Sequence, residues 1–103
     1  MKLIRVQYTT RPEYAATNQA NIVNVANEVR KLNHPGIRYS AYLLPDGKTF
    51  MHFDQFENEE AHQVLMGLES FKKFQAGLKE SILEAAPQWE LLSLAAASYD
   101  FFG

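Results

Sequence analysis

The sequence predicts an α+β fold, a four-stranded antiparallel sheet with its helices gathered on one side. Three observations carry this. The chain opens with a run of alternating apolar and polar residues. A long stripe of apolar residues at spacings of three and four follows it. Two aromatic and β-branched runs then flank Pro45-Asp46-Gly47-Lys48, where Asp-Gly marks a hairpin.

From Leu3 to Thr9, Ile4, Val6 and Tyr8 alternate with Arg5, Gln7 and Thr9, as in a half-buried strand. Pro12 suits the first turn of a helix and Glu13 the positive end of its dipole. The helix runs to about Leu32 on Ala15, Gln19, Ile22, Ala26, Val29 and Leu32, with Val25 widening the stripe. Asn18, Asn21, Asn24 and Asn27 recur every third residue, which lines no single face, and read as surface. His34-Pro35-Gly36 ends the helix.

Ile37 to Leu44 and Phe50 to Phe56 are the hairpin strands. Asn58 caps a short second helix that stops near Gly67, with Glu59 and Glu60 in its first turn. Ser70 is placed to cap a third, on which Phe71, Phe74, Leu78 and Ile82 form a stripe until Pro87. Trp89 to Tyr99 reads as a last long strand. The order is the split βαβ, ferredoxin-like βαββαβ arrangement, with the first and third strands central.

Composition narrows the function. At 103 residues, with no polar or Pro/Gly-rich linker, residues 1–103 are expected to form a single domain. A net charge of -2 with scattered lysines and arginines offers no footprint for nucleic acid. There is no cysteine. No stretch approaches the ~20 apolar residues of a membrane span, and the N-terminus shows no leader, so a cytoplasmic location is expected. His34, His52 and His62 share no short ligand spacing, so no metal is expected. The glycines form no phosphate loop, so no nucleotide cofactor is expected.

Right-handed crossovers put both helical segments on one side of the sheet and leave the other open. Alternation assigns Ile4, Val6, Tyr8, Met51 and Phe53 to the helix side, and Leu3, Arg5, Gln7, Phe50, His52, Asp54 and Phe56 to the open side. His52 and Asp54 project the same way about 7 Å apart. They pair with Arg5 or Gln7 across an interface, or serve as a base oriented by a carboxylate. With Tyr39, they are the catalytic candidates. Tyr8, Tyr39, Phe53, Phe71, Phe74 and Trp89 are the aromatic candidates for lining a ligand cavity, against the plainer reading that they are core.

The same element order, with Phe56-Glu57-Asn58-Glu59-Glu60-Ala61-His62 and then Ser70-Phe71-Lys72-Lys73-Phe74, resembles the antibiotic-biosynthesis monooxygenase type of dimeric α/β barrel. The resemblance implies a homodimer whose sheets face each other, with a ligand cavity between each sheet and its helices. It also implies a cofactor-independent oxygenase acting on an aromatic or quinone-like molecule. The haem-degrading branch fits poorly, since no Asn stands on the first strand, no Trp on the third and no His on the Ser70 helix. The alternative is a non-catalytic module of the same fold that binds a small molecule or a protein. The tail Ala95 to Gly103, rich in aromatics, is expected to dock on the partner subunit with the open sheet face.

Overall fold

The computed structural model describes residues 1–102. It contains β1 (Lys2–Thr9), α1 (Pro12–Leu32), β2 (Ile37–Leu43), β3 (Thr49–Phe56), α2 (Glu59–Met66), α3 (Glu69–Glu80) and β4 (Ala85–Leu92). The strands form one antiparallel sheet in the order β2-β3-β1-β4, so β1 and β3 are central as the sequence predicts.

Local chemistry fixes the element ends. Pro12 starts α1, and Asn33 stops it in the left-handed region at φ 50°, a conformation asparagine tolerates well. In the hairpin, Gly47 takes φ 75°, while the Asp46 carboxylate accepts from the amides of Lys48 and Thr49 at 3.0 and 2.9 Å. Asn58 Oδ1 accepts from Ala61 N at 3.0 Å and caps α2.

Ser70 does not cap α3. Leu68 holds that position, and Ser70, inside the first turn, donates its amide and hydroxyl to Glu28 Oε1 of α1. A carboxylate from a neighbouring helix thus satisfies the positive end of α3, and those hydrogen bonds lower the Glu28 pKa.

The last strand begins and ends earlier than Trp89 to Tyr99. Helix α3 stops at Glu80, well before Pro87, and Ile82 lies exposed beyond it. Strand β4 is an edge strand that pairs only with β1, and Leu92 already faces Leu3 near the start of β1. Beyond Leu92 only Lys2 of β1 remains to pair with. Pro87 falls where the register shifts between Gln7 and Thr9, a place where a missing N–H costs little.

Register also overturns the assignment of β3 to faces. Tyr8 sits opposite Phe50, Val6 opposite His52 and Ile4 opposite Asp54, so these six share the helix side, and Phe50, His52 and Phe56 are all buried there. Met51 and Phe53 point to the open side instead, opposite Gln7 and Arg5. Phe50-Met51-His52-Phe53-Asp54-Gln55-Phe56 has apolar residues at both parities, so alternation alone does not choose. The helix side binds the bulkier aromatics.

The core packs Ala15, Ile22 and Val25 of α1, Ala61 and Leu65 of α2, and Phe71, Phe74 and Leu78 of α3 against Tyr8, Ile37, Phe50 and Phe56. Asn18, expected at the surface, is fully buried within that stripe, and Gln19 is exposed. Strand β4 carries no buried residue.

Gly77 of α3 lets α1 approach. A methyl built there would lie 2.5 Å from Tyr14 Oη, a buried hydroxyl that has no hydrogen-bond partner among the described residues. Alanine adds ~1 kcal/mol of helix propensity, but overpacking costs ~1–3 kcal/mol and prevails. In urea denaturation Gly77→Ala is therefore expected to lose about 1 kcal/mol net. Adding Tyr14→Phe, which removes the obstructing oxygen, should restore the loss; no recovery would mean that the helices clash through other atoms.

Candidate functional site

A cavity of about 950 Å³ lies between the sheet and helices α2 and α3. Its floor is Ile4, Val6 and Tyr8 of β1, His52 and Asp54 of β3, and Pro87, Trp89 and Leu91 of β4. Its roof includes Met66 of α2 and Phe71, Phe74 and Leu78 of α3. Because no helix reaches over β4, Trp89 stays 67% exposed, and this side is the mouth.

Most of the lining is apolar; Tyr8, His52 and Asp54 are polar groups of the floor, and Lys2, His62, Gln75, Lys79 and Ser81 also line the space. Asn18 Nδ2 donates to Tyr8 Oη at 2.8 Å, and Tyr8 Oη lies 2.8 Å from His52 Nε2. On the other side of the ring, His52 Nδ1 lies 3.4 Å from Tyr39 Oη. The imidazole is held between Tyr8, stacked at 5.4 Å, and Phe74 at 5.3 Å.

This environment shapes the titrations. Burial pushes the His52 imidazole down to about 4, so the ring is neutral at pH 7. Burial pushes the Asp54 carboxyl up to about 7, and its Oδ1 is buried without a hydrogen-bond partner among the described residues. Burial likewise raises both phenols well above their ordinary values; the Asn18 hydrogen bond opposes this for Tyr8, and the nearby Asp54 adds to it for Tyr39. A neutral histidine, the protonated Tyr8 phenol and a carboxyl that gives up its proton near neutrality therefore face one largely apolar space, with the protonated Tyr39 phenol behind the imidazole.

The sequence candidates divide. Tyr8, Phe71, Phe74 and Trp89 line the cavity together with His52 and Asp54. Tyr39 does not line it; the phenol reaches His52 from behind and also borders a groove at the β2 edge. Phe53 stands apart on the open face, packed edge-on against Tyr42 at 5.8 Å. His52 and Asp54 do not pair with Arg5 or Gln7. Arg5 binds Glu90 and Gln7 on the opposite side of the sheet, at 2.8 and 2.6 Å.

Three contributors were not read from the sequence: Asn18, Lys2 and the cavity role of His62. Asn18 falls between Ala15 and Ile22 at spacings of three and four, a polar residue in an apolar stripe, and that spacing was the available signal. His62 stands 3.6 Å from Glu59, three residues earlier on α2. Its ring also stacks on Phe56 at 4.6 Å, its Nδ1 meets Lys2 Nζ at 3.0 Å, and both side chains line the cavity. Among the described residues no three histidine or carboxylate side chains converge as a metal site. Among the described residues no helix is long and apolar enough to cross a membrane.

No protein-family model matches the sequence, and no curated protein sequence matches it. Solved structures do match in three dimensions. A crystal structure of an antibiotic biosynthesis monooxygenase superposes at TM-score 0.77 over 93% of this chain and 100% of that one, with 12% identity. The chain shares the antibiotic biosynthesis monooxygenase fold. A Mycobacterium tuberculosis protein superposes at TM-score 0.77, 17% identical over 95% of this chain and 98% of its own. A Caulobacter crescentus protein provisionally named an antibiotic biosynthesis monooxygenase gives 0.75, with 20% identity over 92% and 90%. The likeness covers nearly the whole chain and bears out the βαββαβ arrangement.

Titration of the floor should appear in stability. An aspartate has a pKa near 3.9 when unfolded, against about 7 here. Between those values the folded chain keeps a proton that the unfolded chain has lost, so this group makes stability fall as pH rises from about 4 to about 7. His52 does the reverse: the unfolded imidazole, near 6.5, holds a proton that the folded one, at about 4, has released. Its contribution rises with pH over about 4 to 6.5. Wild-type stability should thus be nearly flat from about pH 4.5 to 6. Asp54→Asn should turn that plateau into a rise and make the chain more stable at pH 8 by ~2 kcal/mol, a discounted figure because the cavity admits water to the carboxyl. Urea titrations across this range decide it; a flat profile in Asp54→Asn would contradict the assignment.

Proposed function

We propose that the chain is a small oxygenase of the monooxygenase type, acting without a resident cofactor on a polycyclic phenol or quinone-like molecule bound between sheet and helices. The observation that carries this reading is Asp54: a carboxyl with one oxygen buried and unpartnered, facing an apolar cavity, and titrating at about 7. A general base works best with a pKa near the working pH, and apolar surroundings strengthen its pull on a bound acidic proton.

The chemistry balances with dioxygen as the only co-substrate. Asp54 removes a proton from the activated CH₂ of the substrate's keto tautomer, leaving a carbanion delocalised as a phenolate. The carbanion carbon bonds to dioxygen, and the distal oxygen takes the proton back. The resulting hydroperoxide loses water to give the ketone. One oxygen atom enters the product and the other leaves as water, with no external reductant. Tyr8 and His52, both neutral at pH 7, orient the substrate oxygens without adding a competing charge. Phe71, Phe74 and Trp89 offer the flat apolar surfaces that an extended aromatic body fills.

Anthrone is a probe with the required CH₂. Trp89, the only tryptophan, lies in the cavity mouth, so binding should quench its fluorescence. Oxygen uptake above the uncatalysed background should follow, and Asp54→Asn should lower it by about 10²–10⁴-fold, the usual contribution of a general base. Quenching without oxygen uptake would favour the non-catalytic ligand-binding module; neither response would remove the cavity as a site for such molecules.

The assembly we propose is a homodimer through the open sheet face. Its support is apolar surface that one chain leaves uncovered. Tyr42, Leu92, Leu94 and Tyr99 are exposed, and Met51 and Phe53 are half-buried on that face. Within one chain the tail meets β2, where Arg38 Nε donates to the Phe101 carbonyl and its guanidinium lies 5.8 Å from the Phe102 ring centroid; Gly103 lies outside the described residues. Light scattering after size exclusion should give twice the chain mass at micromolar concentration. Phe53→Glu on the open face should shift it to the monomer, and a monomeric wild type would refute the dimer.

A further inference from the structure

A second groove, of about 510 Å³, runs along the β2 edge past the C-terminal half of α1. Polar side chains border it, among them Arg30, Asn33, His34 and Arg38, and so does Tyr39. The ligand cavity and this groove lie on opposite sides of His52, and hydrogen bonds cross the layer between them. Tyr8 borders the cavity, His52 borders it and reaches Tyr39, and Tyr39 borders the groove.

Donor and acceptor counting gives this chain of bonds a direction. The Asn18 amide nitrogen only donates, so Tyr8 Oη accepts from it and has its own proton free for His52 Nε2. Nε2 is then the bare nitrogen of a neutral ring, and Nδ1 carries the hydrogen, directed at Tyr39 Oη. Among the described residues Tyr39 Oη makes no other hydrogen bond, so its proton is uncommitted, and Tyr39 is one of the residues that border the groove. Tyr8, His52 and Tyr39 each hold a proton and each can accept the next.

We propose that Tyr8, His52 and Tyr39 form a proton relay joining the ligand cavity to the polar groove at the β2 edge, so that protons cross while a ligand fills the cavity. A proton arriving at Tyr8 Oη moves the Tyr8 proton to Nε2, the Nδ1 proton to Tyr39 Oη, and the Tyr39 proton to groove water. One proton enters and one leaves, no heavy atom is displaced, and the ring is left as the Nε2–H tautomer until a proton comes back through the same bonds, so the relay shuttles a proton out and back with no net transport. Tyr39 is in this reading a positioning residue that works through His52, separated from any ligand. The use to which the relay is put rests on the oxygenase reading, in which a substrate proton must be removed and returned; the relay itself does not.

Nitrogen-15 NMR of the histidine-labelled chain tests it without turnover. The His52 ring should be the neutral Nδ1–H tautomer; an Nε2–H ring would overturn the proposal whether or not any probe binds. Filling the cavity with 2-methoxynaphthalene, an apolar probe with no acidic proton, should leave Nδ1–H exchange with water nearly unchanged. Tyr39→Phe should slow that exchange about tenfold in the filled chain, the scale set by losing one hydrogen-bond partner. Tyr42→Phe, a neighbour on the other face of β2, should not slow it, and the amide spectrum confirms that each variant is folded. Exchange that stops on filling, or that is equally fast in Tyr39→Phe, would show that water enters through the mouth and would overturn the relay. Failure to oxidise anthrone would count against the oxygenase and leave these outcomes readable.

Discussion

The Tyr8 hydroxyl is the joint on which the site depends. It accepts from Asn18 of α1 and meets His52 of β3, and so ties a helix to two central strands through one buried oxygen. A buried polar group without partners costs ~1–3 kcal/mol, so the three residues hold one another in register as well as in place. A slip of one residue between β1 and β3 would carry His52 and Asp54 to the open face and leave Asn18 and Tyr8 unpaired in the core. The apolar stripe of α1 supplies packing energy; the asparagine within it selects the register.

His52 and Asp54, two residues apart on one strand, respond to burial in opposite senses. Each is driven towards its uncharged form, so from about pH 4 to about 7 the floor is electrically silent. That resolves how a carboxyl and an imidazole share an apolar cavity without a salt bridge: neither has to be charged. The cost falls on Asp54 at higher pH, where a buried carboxylate lacks a partner for one oxygen. Such an uncompensated group is poor design for stability and good preparation for accepting a proton.

Much of this was legible in the sequence, and the limits have physical causes. The element order, the hairpin at Asp46-Gly47, the Asn58 cap and the central strands follow from local signals that tertiary packing did not overrule. The face of β3 was not legible, because apolar residues occupy both parities between Phe50 and Phe56 and only pairing with Tyr8 separates them. With that parity reversed, His52 and Asp54 changed sides, from the open face to the cavity floor, and Phe53 left the set of cavity aromatics. Asn18 was lost among four asparagines at a spacing of three, although only Asn18 coincides with the buried stripe. The end of β4 was set by the length of β1, a constraint that no property of the residues from Ser93 to Tyr99 reveals.

In the functions proposed above the two faces of the sheet have separate tasks, and β4 borders both. Its helix-side residues, Trp89 and Leu91, form an open wall of the cavity, while Leu92 and Glu90 lie on the other face beside Leu3 and Arg5. An edge strand that buries none of its eight residues contributes little core of its own and is positioned mainly by its ladder to β1. Whatever covers the open face would therefore also steady the wall on which a ligand rests. If both events order this strand, affinity in the cavity and association through the sheet would be coupled favourably, because the entropy lost on ordering β4 in one event is not lost again in the other.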